Sequence, residues 1–438
     1  MTTRKIDVNN VKIGMYVAQL DRPWLETPFL FQGFYVRDQD DVNELKKYCE
    51  YVYILRDDAV GQADDVFAPA RAAPLRADDG AGAIKRRWRR MSAFIWRRKG
   101  KTATPSRIDG YAQPGTFYED TRTLQEELSD ATSVHNEAAV TVHQVISKLR
   151  VSDRLDIQQL ETVVTPMVAS ILRNPSALSC LVRLQKKDDY LYHHSLGCLV
   201  WATVLGRHVG LSREDLKVIA MGALLIDVGK IRLPGSILRK AGELDPDEET
   251  LSRRHVEYSL DILRETGGLD PRVMQMVATH HERYNGTGYP RGLKGSEIPV
   301  FGRIAGLVDT YDAMTTPRPY AKAMSSYDAF RQLRKIADVE FQAELIDQFT
   351  LAVGVFPTGT LVELNTGEVA VVTKQNRIRR LRPEIMIIMN ANKELLETFL
   401  ELDLNKESVS EDGRHSLWIE HGLAPGSFGL DPTEFFLD

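Results

Sequence analysis

The side chains with chemical potential in this chain lie on apolar stretches between residues 194 and 309. The run KVIAMGALLIDVGK ends its apolar stretch, Val218 to Ile226, on the carboxylate of Asp227, with Lys230 three residues further on. Such a run belongs in a core, and an ionised carboxylate there is costly unless a partner or a metal meets it. His194 precedes the apolar SLGCLVWATVL. In RVMQMVATHHERYNGTGYP, Val273, Met276, Val277, His280 and His281 fall at helical spacings, so both imidazoles can turn inward. His255 is expected on a helix opened by Asp245 as N-cap, Pro246 at the first helical position and Glu248 closing a capping box, with Ser259 and Ile262 on its face. Asp309 edges a stripe of Phe301, Ile304, Ala305 and Val308. A single histidine on an apolar face is usually a hydrogen-bonded core residue. Four imidazoles and two carboxylates together, with no thiolate among them, describe a site for divalent Mn, Fe, Ni or Zn, in which Asp227 is able to bridge two ions. Two ions roughly 3.5–4 Å apart hold a hydroxide and neutralise a leaving oxygen, so phosphodiester hydrolysis is the natural reaction class.

These side chains need a scaffold. With 438 residues, 43% hydrophobic and 27% charged, the chain has the makings of a soluble globular protein of two or three domains. A net charge of −5 argues against a surface built throughout for nucleic acid. Cys49, Cys180 and Cys198 have no metal-type spacing and leave an odd thiol, which favours a reducing compartment, the cytoplasm. Leu196 to Gly206 is the longest apolar stretch, short of the roughly 20 residues of a membrane helix, and the polar start MTTRKIDVNN has no export signal. The expected fold is mainly α, in four zones. Residues 1–57 read as a small α+β module, with β-like MYVAQL, FQGFYV and YVYIL and a helix over DDVNELKKYCEYV. Residues 58–118 read as a linker. Within it, KRRWRRMSAFIWRRKGK (85–101) carries nine basic residues interleaved with Trp88, Phe94 and Trp96, which suits either an anionic surface or a solvated tether. Residues 119–352 read as helical, and 353–438 as a β-rich tail. Along 119–150, Leu124, Leu128, Ala131, His135, Ala138, Val142, Val145 and Leu149 form a heptad seam that serves either a homodimer or the chain's own bundle.

In order along the chain, His194, DVGK (Asp227 to Lys230), His255, HHE (His280 to Glu282), GTGYP (Gly286 to Pro290), Asp309 and RPY (Arg318 to Tyr320) resemble the HD-GYP subgroup of the HD phosphohydrolases. The likeness is densest over about residues 185–335, and the first and last zones are similar to domains that accompany some members. The resemblance implies a helical domain that hydrolyses cyclic di-GMP to pGpG or GMP. By position, Asp227 would bridge two divalent transition-metal ions, His255, His280 and His281 would complete one shell, and His194 and Asp309 would hold the other. Lys230 and Arg318 would meet phosphate, Asp227 and Lys230 would be the catalytic pair, and Gly288, Tyr289 and Pro290 would line the substrate cleft. The glycines of GTGYP also suit a tight turn.

Ile226 breaks the pattern, because the family's His-Asp pair is Ile-Asp here and isoleucine has no lone pair to donate. Asp227, Asp309 and His194 leave three donors with room for water, and the expected loss of affinity at this position is roughly 10–100-fold or more. Tyr190 stands where some members carry an acid for a third ion, and Ala321 follows RPY where a base is usual, leaving Lys322 as its substitute. The leading reading is a weakened cyclic di-GMP phosphodiesterase. The alternative is an inactive cyclic di-GMP receptor that signals to a protein partner through the amino-terminal module or the heptad helix. A module that has lost ligand binding altogether leaves Lys230, GYP and Arg318 unexplained.

Overall fold

The computed structural model of the chain describes residues 3–12, 15–21, 34–36, 39–55, 116–152, 154–184, 190–240, 242–317, 323–376, 380–406, 417–430 and 435. The basic segment 85–101, Arg318, Tyr320, Ala321, Lys322 and the side chain of Tyr190 lie outside the described residues. The chain forms two units, residues 1–103 and 104–438.

The first unit is a four-stranded antiparallel sheet with one helix: β1 (Thr3–Asp7), β2 (Tyr16–Leu20), β3 (Phe34–Tyr35), α1 (Gln39–Tyr48) and β4 (Tyr51–Leu55), in the order β1-β4-β2-β3. Val17, Val42, Leu45 and Val52 are buried between sheet and helix. The expected helix stops at Tyr48, and Tyr51 and Val52 belong to β4 instead. Strand β1 was not legible in the polar TRKID because it is an edge strand, held by ladder hydrogen bonds to β4 rather than by an apolar face.

The second unit is helical and ends in a sheet. Its helices are α2 (Leu124–Ser152), α3 (Ile157–Arg173), α4 (Pro175–Leu184), α5 (Tyr190–Val209), α6 (Arg213–Leu225), α7 (Gly235–Leu238), α8 (Pro246–Arg253), α9 (His255–Thr266), α10 (Pro271–Thr279), α11 (Val300–Thr315), α12 (Ser326–Lys335) and α13 (Ala343–Val353). The strands β5 (Leu361–Leu364), β6 (Val369–Lys374), β7 (Glu384–Met389), β8 (Leu395–Asp403) and β9 (Ile419–Gly422) make an antiparallel sheet in the order β8-β7-β6-β5-β9. Among the described residues no helix is long and apolar enough to cross a membrane.

Helix α5 is central, packing on α6, α11 and α13 with Leu196, Leu199, Trp201 and Leu205 buried. The heptad stripe of α2 is spent inside the same chain: Ala131, Ala138, Val142, Val145 and Leu149 are buried against α3, α4 and α5. Buried Glu127 fastens this helix, accepting from Arg173 at 2.6 and 2.7 Å and from Ser170 at 2.8 Å. Of the two uses the sequence left open for this seam, the structure shows packing within the chain's own bundle.

The capping box at Asp245 is present, with Asp245 accepting from the backbone N–H of Glu248 and Glu248 from that of Asp245, both at 2.9 Å. It opens α8, however, and not the helix of His255. The chain breaks at Arg254, so that His255 is the first residue of α9, with Ser259 and Ile262 buried on its face. Likewise α10 ends at Thr279, and His280 and His281 occupy the turn that follows.

Candidate metal centre

Most of the expected ligands stand at or near the end of an element, and Asp309 stands in mid-helix. Ser212 caps α6 by accepting from the N–H of Asp215, and the helix runs apolar to Leu225 before Asp227 leaves it at φ −106°, ψ 8°. His194 sits in the first turns of α5 and Asp309 on the inner face of α11. His194, Asp227, His255, His280, His281 and Asp309 lie together in one largely buried cluster. His255 Nε2 is 3.3 Å from Asp227 Oδ1, His280 Nε2 is 3.9 Å from the same oxygen, and His281 Nε2 is 3.0 Å from His255 Nε2. His194 Nε2 lies 3.3 Å from Asp227 Oδ2 and 3.0 Å from Asp309 Oδ1. Asp227 therefore faces His255 and His280 with one oxygen and His194 with the other.

The hydrogen bonding leaves lone pairs pointing inward. His255 Nδ1 is 2.7 Å from the Ser252 carbonyl oxygen and His280 Nδ1 is 2.8 Å from that of Val277. A carbonyl only accepts, so both Nδ1 atoms carry hydrogen and the neutral rings keep their Nε2 lone pairs free. Burial favours the neutral form: it lowers His255 to about 4 despite the opposing charge of Asp227, and lowers His280 and His281 as well. Burial on its own would raise Asp227, but Lys230, whose Nζ is 2.5 Å from Oδ2, together with His194 and His255 holds it well below the ordinary carboxylate value. Asp309 is held low by His194 against the same burial penalty. Asp227 Oδ1 and His280 Nε2 are buried with no hydrogen-bond partner. Two facing acceptors without a proton between them repel unless a cation satisfies both, so the residues present fit a divalent ion.

Asp312, Gly197, Glu282 and Cys198 were given no role at the site by the sequence reading. Asp312 Oδ2 accepts from His194 Nδ1 at 2.8 Å, and its Oδ1 accepts from Trp201 Nε1 at 3.0 Å. Its signal was its place three residues after Asp309, on the same helical face. Gly197 makes room for it, because a Cβ there would stand 2.2 Å from Asp312 Oδ1. Glu282, buried beside the histidines, accepts from the backbone N–H of Arg291 at 2.8 Å and of Leu293 at 2.9 Å, which closes the GYP loop. Cys198 is one helical turn from His194, with Sγ 3.7 Å from Nε2, and packs beside that ring.

A Cβ on Gly288 would lie 2.3–2.5 Å from backbone atoms of residues 281–283, so only glycine lets the GYP loop pack this closely on its own chain, in keeping with the tight turn the sequence suggested. Tyr289 stacks on His281 with ring centroids 4.6 Å apart, and Pro290 is exposed. Lys230 has a side chain 24% exposed, against 1% for His194 and 0% for Asp227, which puts its charge nearest the solvent side.

Comparison with known proteins follows the same layout. Residues 164–345 match the HD domain, residues 3–160 a domain of unknown function, DUF3391, and residues 361–409 a KOW domain associated with HD domain. The chain is 28% identical over 394 residues to the cyclic di-GMP phosphodiesterase PA4108 of Pseudomonas aeruginosa, covering 90% of this chain and 86% of that protein. It is 35% identical over 174 residues to a cyclic di-GMP phosphodiesterase of Thermotoga maritima, covering 39% and 47% respectively. It is also 35% identical over 139 residues to the 3'3'-cGAMP-specific phosphodiesterase 2 of Vibrio cholerae, covering 32% and 27%. The matches to these last two are confined to less than half of either chain. With its histidines and aspartates gathered as described, the chain carries an HD domain followed by a KOW domain of the kind associated with HD domains.

Proposed function

We propose that this protein is a metal-dependent phosphodiesterase that opens cyclic di-GMP, with Asp227 bridging two divalent ions. The observation that carries the reading is the pair of buried, unpartnered acceptors, Asp227 Oδ1 and His280 Nε2, facing each other across 3.9 Å. His255, His280 and His281 would hold one ion with Asp227 Oδ1, and His194 and Asp309 the other with Asp227 Oδ2. When bound, such ions polarise phosphoryl oxygens and lower the pKa of water enough to supply hydroxide near neutral pH.

The protein's own groups do the positioning. Asp312 holds the His194 ring with its Nε2 turned inward. The Ser252 and Val277 carbonyls do the same for His255 and His280. Lys230, at the accessible side, offers positive charge to a phosphate whose negative charge grows in the transition state. Arg318 and Lys322 would add to it, and Tyr289 with Pro290 would border the nucleotide. Cyclic di-GMP is preferred over 3'3'-cGAMP because the relative aligned with 90% of this chain bears the former name.

The test is incubation of the purified chain with Mn²⁺ or Fe²⁺ and each dinucleotide in turn, following linear product by chromatography. Formation of pGpG that is abolished in His280→Ala supports the proposal, and absence of product from both dinucleotides under every metal overturns it. Ile226 favours a second reading, since it brings no donor beside Asp227: cyclic di-GMP bound and not cut. Calorimetric binding without product would establish that reading. For the enzyme, Ile226→His should raise retained metal and turnover together, and an unchanged rate would mean that the missing imidazole is not limiting.

A further inference from the structure

Arg253 ends α8 two residues before His255, and its guanidinium lies over the Tyr289 ring, 5.0 Å from the centroid. Tyr289 stacks in turn on His281, with 4.6 Å between centroids. A row of planar groups therefore leads from an imidazole of the metal centre to a cation. Tyr289 borders the centre itself: burial raises its hydroxyl pKa, and the charges of Lys230, Asp227 and Asp309 all act on it. Arg254, the next residue along, turns instead to Tyr258, 5.1 Å from that ring's centroid.

An arginine paired with a carboxylate one helical turn away is a common surface feature that contributes little by itself. Arg253 has such a pair, its Nη2 donating to Glu249 at 2.6 Å with both side chains about half exposed. Two features separate it from that case. The guanidinium is anchored on half-buried Tyr289, and the pair with Glu249 takes up one of its five N–H bonds, which leaves a fork of donors beside the centre.

A cyclic dinucleotide with one phosphate at the metal centre carries its bases to the sides of that phosphate. Lys230, whose Nζ bonds Asp227, stands where phosphate would be met; Arg253, two ring steps out from His281, stands where a base would be met. Guanine presents two acceptors side by side, O6 and N7, which match the guanidinium fork. Adenine has an amino donor in place of O6 and so sets donor against donor.

We propose that Arg253 is a specificity-determining residue that reads guanine in the bound dinucleotide through O6 and N7. The proposal rests on the reading above that the centre takes cyclic di-GMP. Glu249 and Tyr289 hold the fork in place before the ligand arrives, which lowers the ordering cost of the contact.

The experiment compares cyclic di-GMP with its analogue built on 7-deazaguanine, in which C–H replaces the N7 acceptor. The half-saturating concentration of each is measured on the Mn²⁺-loaded full chain, from turnover if the chain cuts the ligand and from calorimetry if it only binds. The unaltered chain should need about tenfold more of the analogue. Arg253→Met should need about 5–150-fold more cyclic di-GMP than the unaltered chain, and equal amounts of the two ligands. The comparison within the unaltered chain requires no variant, so it decides the matter even if Arg253→Met does not fold. Equal half-saturation by the two ligands in the unaltered chain would overturn the role of Arg253 and leave the site standing. An Arg253→Met chain that still prefers cyclic di-GMP over the analogue would overturn that role as well, because any loss common to both ligands would belong to a phosphate contact. Neither turnover nor binding of either ligand would overturn the reading of the site, and this proposal with it.

Discussion

Asp312 illustrates how one residue outside the expected ligand set governs those inside it. It ties His194 Nδ1 at 2.8 Å, is itself tied by Trp201 Nε1 at 3.0 Å and Thr316 Oγ1 at 3.2 Å, and so fixes both the tautomer and the tilt of the ring. Carboxylate partners of this kind raise the basicity of a ligating imidazole, and their loss typically costs 10–100-fold in metal affinity. Asp312→Ala should therefore weaken zinc binding by roughly that factor, measured by competition with a chromophoric chelator. Affinity equal to that of the unaltered chain would show that the ring is held without it. Gly197→Ala should act in the same direction, because the added methyl would displace the carboxylate that reaches His194.

At the scale of elements, the site is assembled from helix ends and turns, which hold their shape through side-chain to backbone bonds. The loop after α10 depends on Glu282, whose two oxygens each accept a backbone N–H, from Arg291 and Leu293. Hydrogen bonds to a charged group contribute about 1.5–3 kcal/mol each, and a buried group left unsatisfied adds its own cost. Glu282→Ala should lower unfolding stability by about 2–4 kcal/mol in denaturant titration, with faster proteolysis between residues 283 and 297. A loss below about 0.5 kcal/mol, the usual scale of a surface substitution, would mean that the loop is held by other contacts. The break at Arg254 makes His255 the first residue of α9, where its Nδ1 hydrogen meets the Ser252 carbonyl and its Nε2 faces Asp227.

For the whole molecule, the centre gathers charge that the fold must tolerate. The His255 ring takes up a proton in the unfolded chain below its ordinary value of about 6.5, but in the folded chain only at about 4. His280 and His281 are shifted the same way. Between these limits the unfolded state binds more protons, so stability falls as pH drops from about 6.5 towards 4 and these rings have no effect above that range. The thermal midpoint of the chelated protein, followed by circular dichroism, should fall across this interval; a flat profile would contradict the assigned burial. A divalent ion bound only by the folded chain should add about 2.7 kcal/mol at a hundredfold excess over its Kd, so chelation should lower the midpoint at neutral pH. The sequence by itself determined the helical class, the β-rich end, the ligand types and the unusual Ile226, because apolar periodicity and residue chemistry are local properties. Only the tertiary structure decided that the α2 seam is buried in its own bundle, that Gly288 packs on its own loop, and that Asp312 and Cys198 join His194. The contacts of His194 with Asp309 and Asp312 join residues more than a hundred positions apart, and spacing along the chain does not encode such a meeting.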